Sequence, residues 1–157
     1  MKYDYDYLFS LIDYSDYYDL YPEYSNAIVE GENYYFNTYK QASEWADMVI
    51  DVFNSLQNKE EIRVYRAVYL KNKNDLKYDD LGESWSFDKN SAIEFGFHNN
   101  SNYLLSGIVY PYNIDWEESI KLFVKNSFDM FSGESENELY IPYAEEKIYD
   151  LKIEKIK

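Results

Sequence analysis

The run Ile62-Arg63-Val64-Tyr65-Arg66-Ala67-Val68-Tyr69-Leu70 alternates as a half-buried β-strand does, with successive side chains sent to opposite faces. Ile62, Val64, Val68 and Leu70 share one face, and Arg66 stands in the middle of it. A guanidinium on an apolar face requires an anion, either a buried carboxylate or a bound phosphate. Arg66 is therefore a candidate ligand-binding residue, and the run around it predicts the first strand of a sheet.

Downstream, the chain continues to read as short strands. A polar loop over 71–80 leads into Leu81-Gly82-Glu83-Ser84-Trp85-Ser86-Phe87, a short strand. Asp88 caps a short helix through Ala92, Ile93 and Phe95 that Gly96 closes. Tyr103 to Tyr110 is a β run ended by Pro111, and 115–135 is ambiguous between helix and loop. Glu136 to Ile141 reads as a strand, and Tyr149, Leu151 and Ile153 alternate with Asp150, Lys152 and Glu154 in a last, half-exposed one.

Upstream the periodicity changes. Thr38-Tyr39-Lys40-Gln41 has the form of a capping box. After it Ala42, Trp45, Ala46, Val49, Phe53 and Leu56 recur at helical spacing, which predicts a helix over about 39–57. Its apolar stripe is core-facing and carries no chemistry. Residues 1–24 hold eight Tyr and five Asp, with a short apolar cluster at Leu8, Phe9, Leu11 and Ile12. One helix followed by many short strands argues an α+β class. The 157 residues suit a single domain, with residues 1–59 an acidic, Tyr-rich, mainly helical N-terminal part and 60–157 a β core.

Composition narrows the function classes. The net charge is −15, and the first 60 residues carry 12 acids against 3 bases, a net of −9. Such a chain repels phosphates, which argues against direct nucleic-acid binding and for a basic protein partner. With no Cys and one His, thiolate and transition-metal sites are not expected. The absence of Cys fits a reducing cytoplasm, and the acidic Met1-Lys2-Tyr3-Asp4-Tyr5 start lacks a signal-peptide pattern. No apolar run reaches the length of a membrane span. Neither a Walker loop nor a Gly-rich dinucleotide fingerprint appears.

Three elements carry candidate chemistry. They are Arg66; Ser84-Trp85-Ser86, whose hydroxyls fall on one side of an extended segment; and Glu136-Asn137-Glu138 before Leu139-Tyr140-Ile141-Pro142. Period two puts the two carboxylates on one face, about 7 Å apart. Each element also has a plain reading: an internal ion pair, ordinary strand serines, a solvated acidic face. His98, in Phe97-His98-Asn99-Asn100, reads as a surface residue in a polar turn.

In this order and context the trio resembles the Arg–Ser–Glu class of mono-ADP-ribosyltransferases, over about residues 60–157. The family pattern is an Arg on the first core strand, a Ser-x-Ser strand start and a Glu-x-Glu before a strand; Ala67 stands where the residue after the Arg is often Gly. The resemblance implies a split β core around an NAD cleft and transfer of ADP-ribose from NAD to an arginine of a basic protein. Arg66 would hold the NAD pyrophosphate or nicotinamide ribose. Ser84 would orient the strands and the catalytic Glu, with Ser86 supporting the strand. Phe87 or Phe95 would stack on nicotinamide. Glu138 would hydrogen-bond the 2′-hydroxyl of that ribose and stabilise the oxocarbenium-like state, and Glu136 would position or deprotonate the acceptor. A phage effector or toxin acting on a host polymerase, ribosomal or defence component fits the charge and size. The alternative is a non-catalytic acidic DNA mimic that binds and inhibits a basic partner.

Overall fold

A computed structural model describes residues 4–13, 39–127 and 137–157. It is a mixed α+β structure, and the chain divides into two compact units: Met1–Gln57 with Val124–Gly133, and Asn58–Phe123 with Glu134–Lys157.

In the first unit, α1 (Tyr5–Asp13) and α2 (Tyr39–Gln57) pack together. Of the predicted stripe of α2, Ala42, Ala46, Val49 and Phe53 are fully buried and Leu56 nearly so, while Trp45 is half-buried. Leu8 and Phe9 are the buried residues of α1. The Tyr5 hydroxyl donates to Asp47 Oδ1 at 2.6 Å, a tie between the two helices. Thr38 of the expected capping box and most of the Tyr/Asp-rich segment lie outside the described residues.

The second unit is built on a five-stranded antiparallel sheet. Its strands are β1 (Ile62–Val68), β2 (Ser84–Ser86), β3 (Tyr103–Val109), β4 (Glu138–Tyr140) and β5 (Tyr149–Lys155), in the order β4-β2-β1-β3-β5. β1 and β3 pair along their whole length, from Ile62↔Val109 to Val68↔Tyr103. Beyond Val68 the Asn102 side chain takes over the ladder's role, accepting from Leu70 N at 2.9 Å and donating to Leu70 O at 2.8 Å. Directly opposite residues share a face, so Arg66 lies beside Leu105 in a row with buried Ile62, Val64 and Val109.

Helix α3 (Lys89–His98) packs against β1. Asp88 is its N-cap, as expected, accepting from Ser91 N at 3.0 Å. Gly96 does not close this helix. It is buried inside it, and a Cβ placed there would stand 2.4 Å from the Ala67 methyl. The glycine is needed for close approach to the strand, and the helix runs on to an Asn99 C-cap. His98 is accordingly the exposed last residue of the helix rather than part of a turn.

The ambiguous stretch resolves into helix α4 (Trp116–Ser127), with 128–136 outside the described residues. Asp115 and Ser119, at its start, cover the outer edge of β4. Asp115 bridges to Tyr140, whose N–H donates to Ser119 Oγ at 2.8 Å. An edge strand otherwise exposes such unpaired groups. A short helix that the apolar pattern does not announce, α5 (Ala144–Lys147), enters through Tyr143 at φ +53° and leads into β5. Gly107 of β3 leaves room for Ile148 just before β5, because a Cβ there would meet Ile148 Cγ2 at 2.3 Å. Among the described residues, no helix is long and apolar enough to cross a membrane.

Candidate functional site

Strands β1 and β2 hold to each other at one register pair, Tyr65↔Ser86. Continued by one step and then another, that register would set Trp85 opposite Arg66 and Ser84 opposite Ala67. The Ser84 carbonyl instead accepts from Arg66 Nη1 at 2.7 Å. A side chain has taken the place of a backbone donor where the two strands part. The Ser84 hydroxyl in turn donates to Glu138 Oε1 at 2.5 Å, across to β4. Arg66, Ser84 and Glu138 thus form one connected chain of groups, although 18 residues separate the first two and 54 the last two.

The surroundings fix each member. Gly82 lies against the guanidinium with φ +81°, and an ideal Cβ there would fall 2.7 Å from Arg66 Cζ and Nη2. Trp85, almost fully buried, holds that loop by donating from Nε1 to Gly82 O at 2.9 Å. Burial pushes the Arg66 pKa below the ordinary arginine value, and the carboxylates of Glu138 and then Asp80 oppose that shift. Both carboxylates favour the charged guanidinium, while its hydrogen bond goes to a main-chain carbonyl.

Glu138 is aimed from behind by Asn137, which the motif reading passes over as a spacer. Asn137 sits at φ +50°, a conformation that asparagine tolerates better than most residues. Its carbonyl accepts from Phe87 N at 3.0 Å and its side-chain amide donates to Ser91 Oγ at 2.9 Å. Ser91 donates to the capping carboxylate of Asp88 at 2.6 Å. Entry into β4 is therefore tied to the start of α3. An Asn in the spacer position followed by a strand was the available signal.

The remaining expected site residues fall in different places. Ser86 is buried, pairs with Glu138 across the ladder and shapes the β2–α3 turn, its hydroxyl donating to Asp88 O and accepting from Asp88 N. Phe87 is half-buried and adjoins Asn137 through its backbone. Phe95 stands on α3 with 44% of its surface exposed. Glu136 lies outside the described residues. Glu83, next to Ser84, is exposed and accepts a hydrogen bond from the Tyr140 hydroxyl. Among the described residues no group of three or more His, Cys, Asp or Glu side chains could hold a metal ion.

Chemically, this is a preorganised cation, hydroxyl and carboxylate in sequence along one seam. Such a set can hold an anionic ligand, orient a sugar hydroxyl and present negative charge to a developing cation. In comparisons with known proteins, no family model, curated protein or solved structure matches the chain.

Proposed function

We propose that this chain is a mono-ADP-ribosyltransferase that moves ADP-ribose from NAD to an arginine of a basic protein. The observation that carries the reading is the Arg66–Ser84–Glu138 chain of groups, which links one residue from each of the three sequence motifs. In this reaction the bond from ribose C1′ to the nicotinamide nitrogen breaks, and its electron pair leaves with nicotinamide. The acceptor guanidinium nitrogen then bonds C1′ and gives up one proton.

Each residue has a task in that scheme. Arg66 binds the pyrophosphate or the nicotinamide ribose by charge-assisted hydrogen bonds, which demands that its planar fork be held still. Gly82 and the Ser84 carbonyl do the holding. Ser84 keeps the Glu138 carboxylate in one orientation, and Glu138 accepts from the ribose 2′-hydroxyl while its charge stabilises the oxocarbenium-like state. Glu136 positions or deprotonates the acceptor, and Ser86 supports the strand from which Ser84 acts. Phe87 or Phe95 stacks on nicotinamide. The fold belonging to this reading is a β core split around an NAD cleft, and the parting of β1 from β2 supports it.

The test is label transfer from tagged NAD in a bacterial lysate, with nicotinamide release followed in parallel. A labelled band that vanishes with Glu138→Ala is the expected result. No nicotinamide release and no thermal shift with NAD would remove the reading.

A second reading is a non-catalytic acidic mimic of DNA that blocks a basic partner. It is favoured by the exposed ridge of Glu44, Asp47 and Asp51 on α2, spaced so that all three lie on one side of the helix. Under it Glu138→Ala leaves inhibition of the partner intact.

A further inference from the structure

At the end of the sheet where β1 begins, three tyrosines from three segments lie side by side on the surface. Tyr110 follows β3, Tyr112 lies in the 3-10 turn Pro111–Asn113, and Tyr149 opens β5. The Tyr110 and Tyr112 rings are nearly parallel, 9° apart with centroids at 5.4 Å. Tyr110 meets Tyr149 at 5.2 Å and 32°. Tyr112 leaves 78% of its surface exposed and Tyr110 38%.

This row is held, not merely exposed. Pro111 opens the turn, and Trp116 Nε1 donates to Pro111 O at 2.9 Å from the other side. The Tyr149 hydroxyl donates to Glu61 Oε2 at 2.5 Å, which fixes its ring across the end of β3. A held row of exposed aromatic rings is a candidate contact site.

The chemistry of the occupant follows from charge. Tyrosine ring faces attract cations, and guanidinium groups stack on them better than ammonium groups do. The chain as a whole carries −15, so it draws basic segments and repels the phosphates of a nucleic acid whose bases could otherwise stack. Lys59 and Arg63 flank Glu61 along the chain, so the selective pull comes from the rings and the overall field rather than from Glu61 alone. Arg66 lies four residues along β1 from Ile62, roughly 13 Å at strand rise, so the row is separate from the seam described above.

We propose that Tyr110, Tyr112 and Tyr149 form a docking surface for an arginine-bearing segment of a basic protein partner. The proposal does not depend on NAD chemistry.

The experiment is calorimetric titration of the full chain with hexa-arginine and with hexa-lysine at low salt. Hexa-arginine binds more tightly than hexa-lysine, and Tyr112→Ala weakens hexa-arginine about three- to tenfold, bringing the two peptides close to parity. Tyr112→Phe keeps the preference. Tyr78→Ala, which removes another exposed tyrosine on the loop before β2, leaves it unchanged. Equal binding of the two peptides to the wild-type chain would overturn the proposal, as would a Tyr112→Ala effect no larger than that of Tyr78→Ala. Preferential binding of a single-stranded oligonucleotide would overturn it as well.

Discussion

Gly82 and Arg66 fit together only because glycine has no side chain: a Cβ at 82 would stand 2.7 Å from the guanidinium carbon, closer than real carbon contacts allow. The same residue has φ +81°, where other residues are strained. Gly82→Ala therefore combines backbone strain with displacement of Arg66, and is expected to cost about 1–3 kcal/mol in urea unfolding. Under the proposed transferase function, the thermal shift expected with NAD should disappear with it. Gly82→Asn separates the two effects, since asparagine tolerates the backbone conformation yet still crowds the guanidinium. It should recover part of the stability and none of the NAD response. A full NAD response in either variant would show that Arg66 need not be held where it is.

Ser84 contributes two different atoms to the seam, and one substitution tells them apart. Its carbonyl receives Arg66 Nη1, and its hydroxyl donates to Glu138 Oε1. Ser84→Ala removes only the second. The loss is about 1 kcal/mol, below the usual range for a bond to a charged group because both residues are half-exposed. With Arg66 still seated, KM for NAD should stay within about twofold while kcat falls roughly tenfold. A rise in KM with kcat unchanged would mean that the hydroxyl serves binding rather than the orientation of Glu138.

Two tyrosines should titrate late, for a stated reason. Hydrogen bonds to Glu83 and to Glu61 lift the pKa of Tyr140 and of Tyr149 above the ordinary tyrosine value of 10.0. A phenol raised in the folded state contributes stability that is complete below its unfolded pKa and is lost as pH rises through the folded one. The window is therefore alkaline, above pH 10, and neutral-pH stability is unaffected by titration of either group. Absorbance titration of tyrosinate should show two phenols lagging the exposed ones. Glu83→Gln should lower the pKa of Tyr140, and Glu61→Gln that of Tyr149 only in part, because Tyr110 also raises it. A titration curve that neither substitution moves would dissociate the shifts from these carboxylates.

The sequence showed most of what depends on period and little of what depends on close approach. Alternation around Arg66, the helical stripe from Ala42 to Leu56 and the Asp88 cap all report burial or capping, which the residue types state directly. Gly96 misleads because a glycine late in a helix ordinarily marks its end, whereas here it marks a contact with Ala67 that only the fold brings about. The same holds for Asn137, whose importance lies in a positive φ and a bond to Ser91 46 residues earlier. Helix α5 has four residues, too few for any period to appear. At the site itself, Arg66, Ser84 and Glu138 were legible as chemistry. Their connection through a main-chain carbonyl was not, because that requires knowing where β1 and β2 part.

The contact between Ala67 and Gly96 makes a reciprocal pair, and that can be measured. A methyl on the strand meets a bare Cα on α3, while a Cβ at 96 would approach the Ala67 methyl to 2.4 Å and Ser101 Cβ to 3.2 Å. Gly96→Ala alone should push α3 off β1 and cost about 1–3 kcal/mol, the usual range for overpacking. Ala67→Gly alone leaves a methyl-sized gap and weakens the strand, a loss of about 1 kcal/mol. Combined, the two exchange sizes across the same interface, so the double variant should be more stable than the sum of the single losses by at least about 1 kcal/mol, the coupling expected of residues in direct contact. The Ser101 contact remains in the double variant and limits the rescue. Strict additivity in the cycle would mean that α3 moves freely over β1, and the helix could then not hold Asn137 through Ser91 in the way that aims Glu138.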